Sequence, residues 1–211
     1  MAGKLRLYHY IPVTRTEGPG LRACLWVQGC PRHCNGCAAP ETWDFEAGYE
    51  QDVNELVEEI LSVTGLDGIT IAGGEPFCQA EALAELLGKL RERSPDFTII
   101  CFSGWTLEEL KELDLAGIDR LLSNVDLLID GPYIEALANN TMPLVGSSNQ
   151  EFHFLTPRLL EWKNTWEHAK NKLEIRIMPD GRIVANGMLP GDLLNTIKNS
   201  KLNGQDFLVT K

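Results

Sequence analysis

The sequence predicts an α/β protein built around a mainly parallel sheet. Short apolar runs typical of strands alternate with amphipathic stretches typical of helices, an order that favours successive βα units. The turns that follow these runs are rich in glycine, cysteine and acidic residues. Ligands bind at the carboxyl ends of the strands in such sheets, so we expect the functional residues to follow the strands directly.

The composition is that of an ordinary globular protein. The chain has 211 residues, of which 44% are hydrophobic and 23% charged, so general disorder is not expected. A net charge of −11 argues against binding of nucleic acid or anionic lipid through the overall charge of the protein. No apolar run reaches the roughly 18 residues of a membrane span. With no secretion signal, we expect a cytoplasmic protein whose cysteines are metal ligands or catalytic groups.

The first half of the chain predicts three strand–helix pairs. The first strand is expected at residues 22–28, and a cysteine-rich loop follows to about Phe45. Asp52, with Glu55 three residues later, is typical of a helix N-cap. The elements after this helix are a strand at 68–72, a helix at 80–93, a strand at 97–102 and a helix capped by Thr106 and Glu109.

The second half predicts a fourth strand at 127–129, which enters Asp130-Gly131-Pro132, and a fifth at 151–155. Strands at 173–178 and 182–186 flank Pro179-Asp180-Gly181, a hairpin signal, and a short helix follows Asp192. Residues 157–211 hold nine basic and six acidic residues, against ten and twenty-four before them, and no cysteine. We therefore expect a core of residues 1–156 and a C-terminal extension of residues 157–211.

Three cysteines, Cys30, Cys34 and Cys37, have the spacing C-x3-C-x2-C. Three thiolates in so short a loop fit one side of a compact metal centre. A cubane cluster is usually held by four thiolates, so three would leave one iron open for a substrate or cofactor. A zinc site completed by His33 and a loop without any ligand are the alternatives.

The other cysteines are weaker candidates. Cys24 and Cys101 lie in predicted strands and are expected to pack as small apolar residues. Cys78 follows the next motif, and its role stays open.

Gly73, Gly74, Glu75 and Pro76 form a GGEP motif directly after a predicted strand. The two glycines let backbone groups approach a ligand closely, Glu75 adds an acceptor, and Pro76 fixes the turn before the next helix. A strand-to-helix turn without a ligand can have the same composition. The motif therefore indicates a site mainly because it follows the cysteine loop in the expected order.

Together the two motifs resemble the radical S-adenosylmethionine (SAM) superfamily. The resemblance implies an open partial (βα) barrel and a [4Fe–4S] cluster on Cys30, Cys34 and Cys37. It also implies that SAM chelates the open iron, that the GGEP backbone holds its amino group, and that its reductive cleavage yields a 5′-deoxyadenosyl radical. Gly36 stands where most members have an aromatic residue near the adenine. Backbone contacts with the cofactor are therefore implied at Gly36 and Ala38.

A longer stretch, EGPGLRACLWVQGCPRHCNGCAAPETWDF, is similar to the anaerobic ribonucleoside-triphosphate reductase-activating family, as are LLIDGPY and GSSNQ further on. This resemblance implies an oxidoreductase that installs a glycyl radical on a reductase, with an external electron donor. It also implies cofactor contacts at Ser103 and Asp130, although both lie in turn-like sequences. The resemblance also places the segment Glu17-Gly18-Pro19-Gly20 near the mouth of the active site, although the same residues fit a simple turn.

The alternative substrate is a ribosomally made precursor peptide, because radical SAM enzymes on the same scaffold also modify such peptides. A zinc-dependent structural or interaction module is the alternative of a different class. Members of the activating family commonly have arginine where this chain has Val145, and compact members end soon after GSSNQ. We expect residues 157–211 to recognise a polypeptide substrate. Otherwise they form a structural cap, in which Ile175, Ile177, Ile183 and Val184 bury an apolar face.

Overall fold

A seven-stranded sheet forms the centre of the fold. The computed structural model describes residues 3–139, 141–165, 171–177, 183–187, 201–202 and 205–210. In sheet order the strands are β3 (Tyr49–Asp52), β1 (Lys4–Thr14), β2 (Arg22–Val27), β4 (Gly68–Gly73), β5 (Thr98–Phe102), β6 (Leu127–Asp130) and β7 (Glu151–Phe154). Strands β2, β4, β5 and β6 are parallel, and β1, β3 and β7 are antiparallel to their neighbours. The predicted α/β class with a mainly parallel sheet is confirmed.

The main core lies where helices pack against one face of this sheet. The helices are α1 (Val53–Ser62), α2 (Ala80–Arg93), α3 (Leu107–Glu112) and α4 (Ile118–Leu122). Side chains alternate along the strands, so Leu25, Ile71 and Leu128 meet the helices while their neighbours face the other way. Fully burying an aliphatic side chain stabilises the fold by about 1.5–3 kcal/mol, so this core holds the sheet in place. Within the described ranges, no helix has the length and apolar content to cross a bilayer.

The helix starts follow from side-chain caps. The Asp52 carboxylate accepts hydrogen bonds from the N–H groups of Asn54 and Glu55. Thr106 and Glu109 form a complete capping box at the start of α3. Both caps are as predicted, and α2 has the predicted bounds.

Strand β1 is not among the strands that the sequence predicted. It contains Pro12, and proline cannot donate to a strand ladder. The structure places Pro12 where the pairing register with β2 shifts, between Ile11 and Thr14. At such an irregularity the missing N–H is tolerated. Helix α4 is only five residues long, too short to produce a helical period in the sequence.

A second sheet lies in the C-terminal part, in the order β10 (Lys201–Leu202), β11 (Gln205–Thr210), β9 (Ile183–Gly187) and β8 (Leu173–Ile177). Strands β8 and β9 are antiparallel, as the hairpin prediction requires. The turn between them and the helix expected after Asp192 lie outside the described residues. A short helix, α5 (Leu160–Thr165), precedes this sheet.

The apolar face expected for a cap is only partly buried. Ile175 and Ile177 are 53% and 71% exposed, whereas Val184 is buried. The expectation was wrong for the two isoleucines because their alternate neighbours, Glu174 and Arg176, turn toward β1. Glu174 accepts a hydrogen bond from the Thr14 hydroxyl, and Arg176 donates to the Val13 carbonyl.

Arg22 ties together the amino ends of three parallel strands. Its guanidinium is buried and donates five hydrogen bonds, to the carbonyls of Pro19, Ile69 and Thr98 and to the hydroxyls of Thr70 and Thr98. Burial lowers the pKa of Arg22 to about 10, so it remains charged at neutral pH. Its loss would remove the donor to the buried Ile69 carbonyl and to the half-buried carbonyls of Pro19 and Thr98.

We expect Arg22→Met to destabilise the protein by about 3 kcal/mol, since hydrogen bonds to a charged group contribute about 1.5–3 kcal/mol and buried acceptors would lose their donors. Thermal unfolding measures this loss. The control is Arg93→Met, because Arg93 forms an exposed pair with Glu58 and its removal should change little. Similar effects for the two variants would contradict the role assigned to Arg22.

Candidate active site

The cysteine loop and the GGEP motif are joined by their backbones at the carboxyl ends of β2 and β4. The Gly74 N–H donates to the Val27 carbonyl, and the Glu75 N–H donates to the Gly29 carbonyl, both at 2.8 Å. Gly29 in turn donates to the Thr42 carbonyl at 2.8 Å. The structure therefore brings together the two motifs on which the functional prediction depends.

The glycines of GGEP are needed for this approach of the two strands. A Cβ on Gly73, which has φ +101°, would lie 2.5 Å from the Val27 nitrogen. One on Gly74 would lie 2.3 Å from the Gly29 oxygen. A side chain at either position would push the cysteine loop away. The sequence suggested glycines for contact with a ligand, and the structure adds a contact within the protein itself.

The cysteine loop is compatible with thiolate ligands. Cys30 is buried, while Cys34 and Cys37 are partly exposed, and all are free thiols. Burial raises the pKa of Cys30, but hydrogen bonds from the backbone N–H groups of Arg32 and His33 act in the opposite sense. Donors aimed at the sulfur stabilise a thiolate, the form that binds metal.

The turn that carries Cys34 and Cys37 is closed by the Cys37 N–H, which donates to the Cys34 carbonyl at 3.1 Å. His33 stacks on Trp43 with ring centroids 4.6 Å apart. Among the described residues, no three His, Cys, Asp or Glu side chains form a group that could hold one metal ion. This arrangement is compatible with a cluster, because each thiolate of a cluster binds a different iron.

The Glu75 side chain points away from the end of β4 and hydrogen-bonds to the turn that follows the neighbouring strand β5. Its buried carboxylate accepts from the Gly104 N–H at 2.7 Å, and from the Phe77 N–H and the Ser103 hydroxyl at 3.1 Å each. Burial raises the pKa of Glu75 to about 7, against these three hydrogen bonds and the nearby Arg32, which lower it. The predicted residues Glu75 and Ser103 are thus in direct contact with each other. Pro76 is buried and starts the turn into α2.

The Asp130 carboxylate also contacts other groups of the protein. It accepts from the Leu107 N–H at the start of α3 and lies 2.9 Å from His153 Nε2 on β7. The residue after Asp130, Gly131, lines the cavity described next.

A cavity of about 170 Å³ opens at this end of the sheet. It is lined by Glu17, Ala72, Gly73, Gly74, Phe102, Ser103, Gly104, Gly131, Tyr133, Leu144 and Gln150. The wall combines backbone from GGEP and from the turn after β5 with apolar and aromatic side chains. Such a lining is typical of a small-molecule site.

Tyr133 and Gln150 line this cavity but were not singled out individually in the sequence, although both lie in motifs shared with the resembled family. The Tyr133 ring sits between two glycines: a Cβ on Gly36 or on Gly146 would lie 3.1 Å from it. Gly36 therefore faces an aromatic ring that comes from the loop after β6. Ala38, by contrast, is half-exposed one residue beyond Cys37.

The comparisons with known proteins agree with this site. The family described as "4Fe-4S single cluster domain" matches residues 16–153. The anaerobic ribonucleoside-triphosphate reductase-activating protein of Vibrio cholerae is 33% identical over 156 residues, which are 71% of this chain and 98% of that protein. The chain belongs to this family of activating proteins.

Other members show the same extent of similarity. The activating protein of Escherichia coli K12 is 30% identical over 70% of this chain and 98% of its own length. That of Enterobacteria phage T4 is 30% identical over 74% and 95%. Among solved structures, QueE from Escherichia coli covers 49% of this chain and 54% of its own, at 17% identity and a TM-score of 0.41.

Membership of the activating family confirms the prediction of a radical SAM enzyme with a [4Fe–4S] cluster and SAM as cofactors. It favours the iron–sulfur interpretation of the cysteine loop over zinc. Cys24 and Cys101 are fully buried in strands, and burial raises the pKa of both thiols well above the ordinary value. Cys78 is half-buried, and burial followed by the charge of Glu75 raises its pKa to about 12.

We expect Ala substitution of Cys30, Cys34 or Cys37 to abolish iron binding, because in the three-ligand prediction each thiolate holds one iron of the cluster. Iron content and absorbance near 400 nm of anaerobically reconstituted protein measure the effect. Cys78→Ala is the matched control and should keep its cluster. Loss of the cluster in Cys78→Ala with an intact fold would contradict the three-ligand prediction.

We also expect Glu75 to make stability depend on pH. Its pKa rises from about 4.5 in the unfolded chain to about 7 in the fold, so its contribution is complete below pH 4.5 and is lost as pH rises through 7. The loss is about 3 kcal/mol relative to Glu75→Gln, which does not titrate. Thermal unfolding of both proteins between pH 4 and 8 tests this; parallel curves would contradict it.

Proposed function

We propose that this protein activates an anaerobic ribonucleoside-triphosphate reductase by installing a glycyl radical on it. The observation that carries the proposal is the backbone junction between the cysteine loop and GGEP, which lies beside the cavity lined by Gly73 and Gly74. Activating proteins that align over 95–98% of their own length support this choice of substrate.

Cys30, Cys34 and Cys37 would hold the cluster in this proposal. SAM would be held by the backbone of Gly73 and Gly74, by the turn at Ser103, and by the loop that contains Gly36 and Ala38. When bound, the cluster and SAM would supply one-electron radical chemistry able to remove a hydrogen atom from the substrate glycine. The electron comes from an external donor.

The chain's own residues position and shield this chemistry. Phe102, Tyr133 and Leu144 give the cavity apolar walls that limit access of water to a reactive radical. The predicted cofactor residues Glu75, Pro76 and Asp130 act through other groups in this proposal. Glu75 and Pro76 fix the turn that carries Gly73 and Gly74, and Asp130 holds the strand end that leads to Tyr133.

We further propose that the seven-stranded sheet is an open partial (βα) barrel. The parallel strands β2, β4, β5 and β6 adjoin one another in chain order, and the cavity lies at their carboxyl ends. The expected core of residues 1–156 and extension of residues 157–211 remain part of this proposal. The end of the family match at residue 153 supports that boundary. The six free thiols support the expected cytoplasmic location.

The test is direct activation under anaerobic conditions. The protein is mixed with SAM, a one-electron reductant and the anaerobic reductase from the same organism, and a glycyl radical is sought by electron paramagnetic resonance. We expect a signal on the reductase that is absent when its radical glycine is replaced by alanine. Cleavage of SAM without this signal, together with modification of a precursor peptide, would support the alternative substrate instead.

A further inference from the structure

The C-terminal hairpin reaches the segment between β1 and β2 through a buried polar contact. Asn186, on β9, is 1% exposed. Its Nδ2 lies 2.6 Å from the Thr16 hydroxyl, 2.9 Å from the Thr14 hydroxyl and 3.1 Å from Glu17 Oε1. Arg176 on β8 donates to Asn186 Oδ1 at 2.8 Å, which orients the amide so that its NH₂ group faces these oxygens.

Glu17 lies at the boundary between this contact and the cavity. It is only 5% exposed, and it lines the cavity together with Gly73 and Gly74. Its backbone is fixed by the Thr70 hydroxyl, which donates to the Glu17 carbonyl at 2.6 Å. Glu17 is therefore held at the wall of the proposed cofactor site, with its carboxylate beside Asn186 and Thr16.

Some of the groups around Glu17 raise the pKa of its carboxyl group, and others lower it. Burial raises its pKa, while the hydrogen bonds from Asn186 and Thr16 lower it. Glu174 raises it and Arg176 lowers it, both from β8. The buried Cys24 thiol of β2 is also near. Asn186 is thus a neutral donor that favours the ionised carboxylate in a place where burial opposes it.

Asn186 belongs to a part of the chain that the curated relatives do not share. The family match ends at residue 153, and the relatives align over nearly their whole length with about 70% of this chain. The contact between Asn186 and Glu17 therefore adds a group from the extension to a site that is otherwise built from the family core.

We propose that the extension is part of the active site, with Asn186 as a positioning residue that holds Glu17 as an anion at the cavity wall. An anion at this wall favours a cationic ligand over a neutral one of the same shape, because charges interact strongly where water is excluded. SAM is a sulfonium cation, and S-adenosylhomocysteine is its neutral thioether analogue. This inference rests on the proposed function, in which the cavity binds SAM.

The alternative is that the contact only fastens the hairpin to the core. In that case its loss would lower stability and weaken both ligands alike. Discrimination between the cation and the thioether, and its dependence on pH, would not change. The ratio of the two dissociation constants therefore separates the alternatives.

The experiment is anaerobic calorimetry on the cluster-loaded full-length protein, with SAM and S-adenosylhomocysteine between pH 5.5 and 8.5. In wild type, we expect preference for SAM to increase as Glu17 ionises with rising pH. Glu17→Gln should lower the preference and remove this part of its pH dependence, which separates it from the titration of Glu75. Asn186→Leu should move the transition to higher pH, because the ionised carboxylate loses a donor.

The matched control is Val184→Ala, which loosens packing of the same strand against Ile11, Cys24 and Trp26 but removes no hydrogen bond to Glu17. It should lower the unfolding temperature and leave the transition unchanged. If Asn186→Leu does not fold, Asn186→Asp replaces it. The added like charge beside Glu17 should also move the transition upward.

An unchanged transition in the folded Asn186 variant, or an unchanged pH-dependent preference in Glu17→Gln, would overturn the inference. Failure of the wild-type protein to bind SAM at all would instead count against the proposed function.

Discussion

The close backbone approach between the ends of β2 and β4 is the constraint on which the rest of the site depends. Two hydrogen bonds, from Gly74 to Val27 and from Glu75 to Gly29, hold the strand ends together. They form only because position 74 has no side chain to meet the Gly29 carbonyl. Gly29 directly precedes Cys30, so the position of the first expected cluster ligand depends on a glycine that lies in another motif.

Glu75 extends this junction to a third strand. A buried carboxylate is costly unless it is hydrogen-bonded, and Glu75 accepts from three donors, two of them in the turn after β5. The ends of β2, β4 and β5 are therefore connected before any ligand binds. Arg22 performs the corresponding task at the opposite ends of the same three strands. The sheet is thus fastened at both ends by buried, hydrogen-bonded ionisable side chains, with apolar packing between them.

Local signals were enough to predict much of the fold. Helices α1, α2 and α3 have side-chain caps or strong apolar stripes, and the parallel strands are short apolar runs between them. Strand β1 was missed because its stability comes from pairing with two neighbours, which offsets the disadvantage of Pro12. The hairpin strands were predicted, but not the face that they bury. That face is decided by contacts between Arg176 and Val13, 163 residues apart.

The sequence predicted the candidate site to about the same extent as the fold. The cysteine loop was identified by its spacing, and GGEP by its place after that loop, because the residues of each motif lie within one short segment. The contact of Glu75 with Ser103 spans 28 residues, and both positions were predicted but not their contact. The place of the Tyr133 ring between Gly36 and Gly146 depends on how separate loops meet. No local sequence pattern predicts a contact between separate loops.

The extension shows why a cap and a recognition element need not be alternatives. The two sides of the hairpin have different environments: Val184 and Asn186 are buried against the core, while Ile175 and Ile177 are exposed on β8. The buried side meets the carboxylate of Glu17, a residue that lines the cavity. Truncation after Thr156 would therefore remove both a packing surface and a donor to the cavity wall. Since one deletion changes both, single substitutions on opposite sides of the hairpin are needed to assign either role.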